Sequence, residues 1–158
     1  MTDGVEMSGA LDGIRVLDLS TLVQGPQAAA MLHDLGAEVL KIELPEIGDM
    51  GRHVGVIEEL GTSVFWEACN RGKRSVTLDL RTEAGKEAFL KLVEISDVVL
   101  SNFQPGTLEG WGLGYEDLAA INPGVIWAAG SFLGPTGPDA LREGADIVGE
   151  AAGGVIAG

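Results

Sequence analysis

Cysteine is almost missing from this chain. Cys69 is the only one among 158 residues, which excludes an intrachain disulfide, and with only His33 and His53 for company it gives no metal-ligand spacing. A lone cysteine of this kind reads as a small buried hydrophobe. Positive charge is scarce as well, with ten Lys and Arg against 24 Asp and Glu and a net charge of −14. So acidic a field repels nucleic-acid phosphates and anionic lipid, and neither nucleic acid nor a membrane surface is expected as a partner. No apolar run approaches the roughly eighteen residues of a membrane span, and the opening MTDGVEMSGALDG lacks the basic-then-apolar order of a secretory signal. A cytoplasmic location is therefore expected. The G-x-G-x-x-G fingerprint of dinucleotide folds is also lacking. The turn in its place reads Gln24-Gly25-Pro26, and Pro26 has no N–H to donate, so a standard NAD or FAD site is not expected.

Nearly half the residues are apolar, at 46%, enough for one domain with a real core. Residues 14–19 read as a buried strand. Pro26 opens a helix whose Ala28, Met31, Leu32 and Leu35 recur at helical spacing and which Gly36 closes as a left-handed cap. Residues 38–44 form the next strand. Two strands joined by a helix of this length are parallel, and the turn between them aims its N–H groups and the positive helix end at any anion above the strands' carboxyl ends. Residues 45–61 carry no period and read as a long loop over the sheet.

Further on, residues 63–68 suggest a short helix and 75–80 a third strand. Thr82 caps a helix to about residue 95 that buries Phe89, Leu92 and Val93. A fourth strand at 97–103, a short helix at 115–121, a fifth strand at 124–132 and a helical pattern from Ala145 complete an α/β alternation. Residues 1–10 are expected to be a flexible N-terminus, and 11–158 one domain. The ending VGEAAGGVIAG has no polar tail, and the domain is expected to be incomplete at its C-terminal end, the front part of something longer. Three cations fall within four positions at Arg71, Lys73 and Arg74, with Arg52 a possible fourth. They are either a solvated face or an anion-binding patch.

Five segments taken in order resemble the class III CoA-transferases, the CaiB/BaiF family that includes formyl-CoA and carnitine CoA-transferases and related acyl-CoA racemases. They are VLDLS…GP with LGAEVLKIE, CNRGKRSVTLDL, DVVLSNFQPG followed by WGLGYEDL, INPGVIWAAGSFLGPTGP, and GADIVGEAAGG. The resemblance runs from about residue 10 to the end. It implies a Rossmann-like, mainly parallel open sheet with helices on both faces that binds CoA at the strands' carboxyl ends. The positions that match CoA contacts in the family are Val23 and Gln24 in the first turn, Leu44 after the second strand's acid, Lys73 and Arg74 in N-R-G-K-R, and Asn102 and Phe103 in N-F. Cations and an amide suit phosphate and pantetheine, and Phe103 offers either an apolar wall or plain core.

The resemblance further implies acyl-CoA and carboxylic acid substrates, no cofactor beyond CoA as substrate, and an interlocked homodimer at full length. In the family an aspartate attacks the thioester and relays CoA through an aspartyl intermediate. That residue lies in a G-D-x-x-x-G segment expected beyond Gly158, so no catalytic nucleophile is assigned within these 158 residues, and the chain alone is expected to be inactive. Asp146 matches a supporting position near the active site. Gly48-Asp49 matches a Gly-Asp pair that has no catalytic role in the family. Racemases carry His where this chain has Ala145, which cannot exchange a proton and so argues against an α-methylacyl-CoA racemase. Gly110 replaces a basic residue found in some relatives. A stand-alone CoA-binding module without catalysis remains the other alternative.

Overall fold

In a computed structural model, residues 9–142, 144 and 146–156 are described, without the side chain of Asp146. Most of the expected flexible N-terminus, residues 1–8, and the Ala145 position therefore lie outside the described residues. Strand β1 (Arg15–Asp18) leads into α1 (Gln24–Asp34) and β2 (Glu38–Glu43). A 3₁₀ turn (Met50–Arg52) and a small antiparallel pair, β3 (Val56–Ile57) and β4 (Thr62–Ser63), occupy the stretch expected as loop. Then come α2 (Val64–Asn70), β5 (Arg74–Thr77), α3 (Glu83–Val93), β6 (Val98–Ser101), α4 (Thr107–Gly110), α5 (Tyr115–Ile121), β7 (Ile126–Ala129) and α6 (Asp146–Ala152).

The main sheet has the order β5-β2-β1-β6-β7, and every neighbouring pair is parallel. This is the doubly wound arrangement, in which the chain leaves β1 toward β2 on one side and returns to β1's other side as β6. The crevice above that reversal, outside the carboxyl ends of β1 and β6, is where such sheets hold ligands. Side-chain alternation divides the core. Leu17, Leu19, Ile42 and Val99 pack with Phe89 and Val93 of α3 and Leu118 of α5, while Val16, Val39 and Leu100 pack with Ala29 of α1 on the other face. Thr82 caps α3 as expected, accepting from the Gly85 N–H at 3.1 Å. No helix among the described residues is long and apolar enough to cross a membrane.

Two sequence expectations are corrected. Helix α1 begins at Gln24, so Pro26 is its third residue rather than its first. Met31 and Leu35 are half exposed, at 57% and 50%, because α1 turns Gly25, Pro26, Ala29 and Ala30 inward instead. Small residues let this helix lie close to the sheet on one side and to α2 on another, which leaves the larger side chains facing outward. The one-turn helix α4 carries too short a period to read in advance.

Gly25 is fixed by that close approach. A Cβ there would stand 2.2 Å from Ser20 Cβ and 2.5 Å from Ser20 Oγ. Gly25→Ala is therefore expected to lower stability by about 1–3 kcal/mol, measured by urea unfolding.

Candidate functional site

A cleft of about 220 Å³ opens at the carboxyl ends of β1, β2 and β5. Its apolar walls include Leu44, Leu78, Leu80, Phe103 and Trp111, and Arg81 and Asp79 stand at its edge. Phe103 and Trp111 meet edge to face, with centroids 5.9 Å apart. The polar floor comprises Ser20, Thr21, Lys41, Glu43 and Asp49.

That floor is built from buried charges, a consequence of strand alternation. Asp18 on β1 and Lys41 and Glu43 on β2 project to the α1 face of the sheet, away from the aliphatic set formed by Leu17, Leu19 and Ile42. Lys41 Nζ donates to Ser20 O at 2.7 Å and stands 2.7 Å from Asp49 Oδ2 and 3.7 Å from Asp18 Oδ2. Asp49 Oδ2 has no aligned hydrogen bond, so Lys41 meets it as a charge. Glu43 is gripped by Arg52, whose Nε and Nη2 each lie 2.8 Å from a carboxylate oxygen, by the Asp49 N–H at 2.9 Å, and by the Ser75 hydroxyl. The Arg52 guanidinium also lies 3.3 Å from the Trp66 ring centroid. Burial pushes the Glu43 carboxyl up, but the bonds from Arg52, Ser75 and the Asp49 N–H outweigh it and hold the group at about 2.

The residues singled out in the sequence fall into four groups. Leu44 and Phe103 line the cleft, and Val23 and Gln24 are exposed at the entry to α1. Asn102 spans the reversal point and brackets Thr21, accepting from its N–H and donating to its carbonyl, both at 2.8 Å. Lys73 is buried, with a side chain only 2% exposed, and donates to Asp18 Oδ2 at 2.7 Å, Pro26 O at 2.8 Å and Asn70 Oδ1 at 2.9 Å. These bonds match an ammonium's three donors. Burial lowers its pKa, with Asp18 opposing. Arg74 opens β5, so it lies at the amino edge of the sheet, exposed and 3.7 Å from Glu38.

The four cations of the suspected anion patch thus do not converge. Arg52 is paired with Glu43, Arg71 with Asp34, Lys73 with Asp18 and Arg74 with Glu38. The turn's N–H groups are largely spent as well, since those of Ser20, Thr21 and Leu22 donate to Asp18, Asn102 and Asp49. Sequence reading passed over Arg81, the cation at the cleft's edge. Its Nε and Nη2 rest on Asp79 at 2.7 and 2.8 Å, and its side chain is 58% exposed. The signal was available: ligands gather past the carboxyl end of a parallel strand, and Arg81 follows β5 whereas Arg74 begins it. The Asp146 side chain lies outside the described residues.

An open doubly wound sheet with an apolar-walled cleft at its carboxyl edge is the arrangement in which α/β domains of this kind hold ligands. The sequence model of CoA-transferase family III matches residues 11–158, and the chain belongs to that family. It is 46% identical over 147 residues to a succinyl-CoA–D-citramalate CoA-transferase of Chloroflexus aurantiacus, covering 93% of this chain and 37% of that protein. It is 43% identical over 150 residues to the probable fatty acyl-CoA transferase Rv3272 of Mycobacterium tuberculosis, covering 94% and 38%. The crystal structure of a CaiB/BaiF family protein from Brucella suis superposes with a TM-score of 0.86 at 43% identity, over 94% of this chain and 40% of that one. The chain thus spans about two-fifths of the length of these relatives.

Glu43 makes the site acid-sensitive. Its folded pKa of about 2 lies below the ordinary 4.5, so its stabilising contribution is complete above pH 4.5 and drains away as pH falls toward 2. Urea unfolding across that window should show a steep loss of stability in the wild type and a shallower one in Glu43→Gln. Equal slopes would count against this assignment.

Proposed function

We propose that the chain binds coenzyme A and its thioesters in the carboxyl-edge cleft, as part of an enzyme that moves CoA from an acyl-CoA donor to a carboxylic acid. The observation that carries the reading is the cleft itself. It sits at the ligand end of the fold, has apolar walls for adenine and pantetheine, and keeps one exposed guanidinium at its rim. Family membership and relatives named as CoA-transferases support the same conclusion.

In this reading Leu44, Leu78, Leu80, Phe103 and Trp111 take the apolar parts of CoA, and Val23 and Gln24 lie along its path. Arg81, pre-oriented by Asp79, meets a phosphate. Asn102 and Lys73 act from beneath, the first by bracketing Thr21 and the second through Pro26 O. The three carboxylates lining the cleft, Glu43, Asp49 and Asp79, are each held by a cation. None of them suits the part of nucleophile. An aspartate outside the cleft lining would attack the thioester carbonyl and expel the CoA thiolate, leaving a mixed anhydride. The thiolate would then attack the aspartyl carbonyl and release the donor carboxylate, and the acceptor carboxylate would take CoA from the resulting aspartyl thioester by the same two steps in reverse. The resemblance adds a full-length homodimer in the cytoplasm to this reading.

Calorimetry at low salt is expected to show CoA binding more tightly than NAD, with affinity falling as salt is added. Arg81→Ala should cost about 1–3 kcal/mol of binding, the usual worth of charge-assisted hydrogen bonds, without unfolding the domain. Equal binding of NAD, or an Arg81→Ala variant with undiminished affinity, would overturn the assignment.

A further inference from the structure

Leu22, in the turn between β1 and α1, has φ +66°, the left-handed region that a leucine adopts only at a cost. The residue is 42% exposed, so packing does little to compensate. What fixes the conformation is polar. On the residues before it, Ser20 is held by Asp18 and Lys41 and Thr21 by Asn102. Leu22 itself donates its N–H to Asp49 Oδ1 at 2.9 Å.

Asp49 is well suited to hold that bond. Its side chain is fully buried, and the same Oδ1 accepts from the Gly51 N–H at 2.6 Å while Oδ2 faces Lys41 at 2.7 Å. Its own N–H is anchored on Glu43 Oε2 at 2.9 Å. One carboxylate therefore ties the loop after β2 to the turn after β1, with strand residues of β2 fixing it from both sides. The residues that follow Leu22 are Val23 and Gln24, where α1 begins, and those that precede it, Ser20 and Thr21, line the cleft together with Asp49.

We propose that Asp49 is the positioning residue that holds Leu22 in its left-handed conformation and so fixes the turn whose Ser20 and Thr21 line the CoA cleft. The inference rests on the reading of the cleft given under Proposed function. It gives the Gly48-Asp49 pair a purpose that is neither nucleophilic nor acid–base.

The test follows the Leu22 amide and CoA affinity separately. In the wild type the Leu22 N–H should be protected from hydrogen exchange, and in Asp49→Asn it should exchange about tenfold faster, with CoA bound about tenfold more weakly at a temperature where both are folded. Adding Leu22→Gly to Asp49→Asn should restore affinity, because glycine adopts positive φ freely, without restoring the stability lost when Lys41 loses its anion. Leu22→Gly alone, which leaves the buried ion pairs untouched, should raise thermal stability and keep CoA affinity.

Affinity and stability that fall and recover together would mean a merely structural aspartate and overturn the proposal. So would an unprotected Leu22 amide in the wild type, or a Leu22→Gly variant that loses CoA. A wild type that binds no CoA would refute the cleft reading, while amide exchange would still decide the clamp.

Discussion

Beneath the β1–α1 turn, Asp18, Lys41, Asp49 and Lys73 form a buried quartet of alternating charge, with no side chain more than 2% exposed. Two carboxylates balance two ammoniums, which is the condition for leaving water at all. Such groups contribute little net stability, since desolvation offsets most of their attraction. What they supply here is geometry. Lys41 reaches Ser20 O, Lys73 reaches Pro26 O, and Asp49 reaches the Leu22 N–H. Each ion thus ends on the backbone of the β1–α1 turn or of the first turn of α1, at the point where the sheet reverses direction.

The proposed function asks a chain with net charge −14 to present its cleft to an anion. Most of its cations near the site are committed inward or sideways. Lys41 and Lys73 neutralise the floor, Arg52 locks Glu43 and covers Trp66, and Arg71 holds Asp34. The charge at the rim is then local and directional, a guanidinium fixed by its own aspartate, rather than a broad positive field.

The fold was legible because its elements carry strong periods. Segments 14–19, 38–44 and 97–103 are rich in branched apolar residues over strand length, and Thr82 marks the start of α3 through a capping bond that recurs in the structure. The β3–β4 pair was not, since two-residue strands have no period. Met31 and Leu35 misled because helical spacing shows that a stripe exists but not which neighbour it faces. In the site, Leu44 and Phe103 were named through the family resemblance, and both line the cleft. Lys73 read as a phosphate ligand because the sequence does not show that Asp18, 55 positions earlier, points inward to meet it. Asp18 itself, set in the apolar run VLDL, was a sign that a buried carboxylate needed a cation.

The central claim is that ligand binds at the carboxyl edge of the sheet over this charged floor. Backbone chemical-shift mapping during CoA titration tests it most directly. The account predicts shifts concentrated at Leu44, Leu78 to Arg81, Phe103 and Trp111. Shifts concentrated instead at Arg15, Glu38 and Arg74 on the amino edge would contradict it.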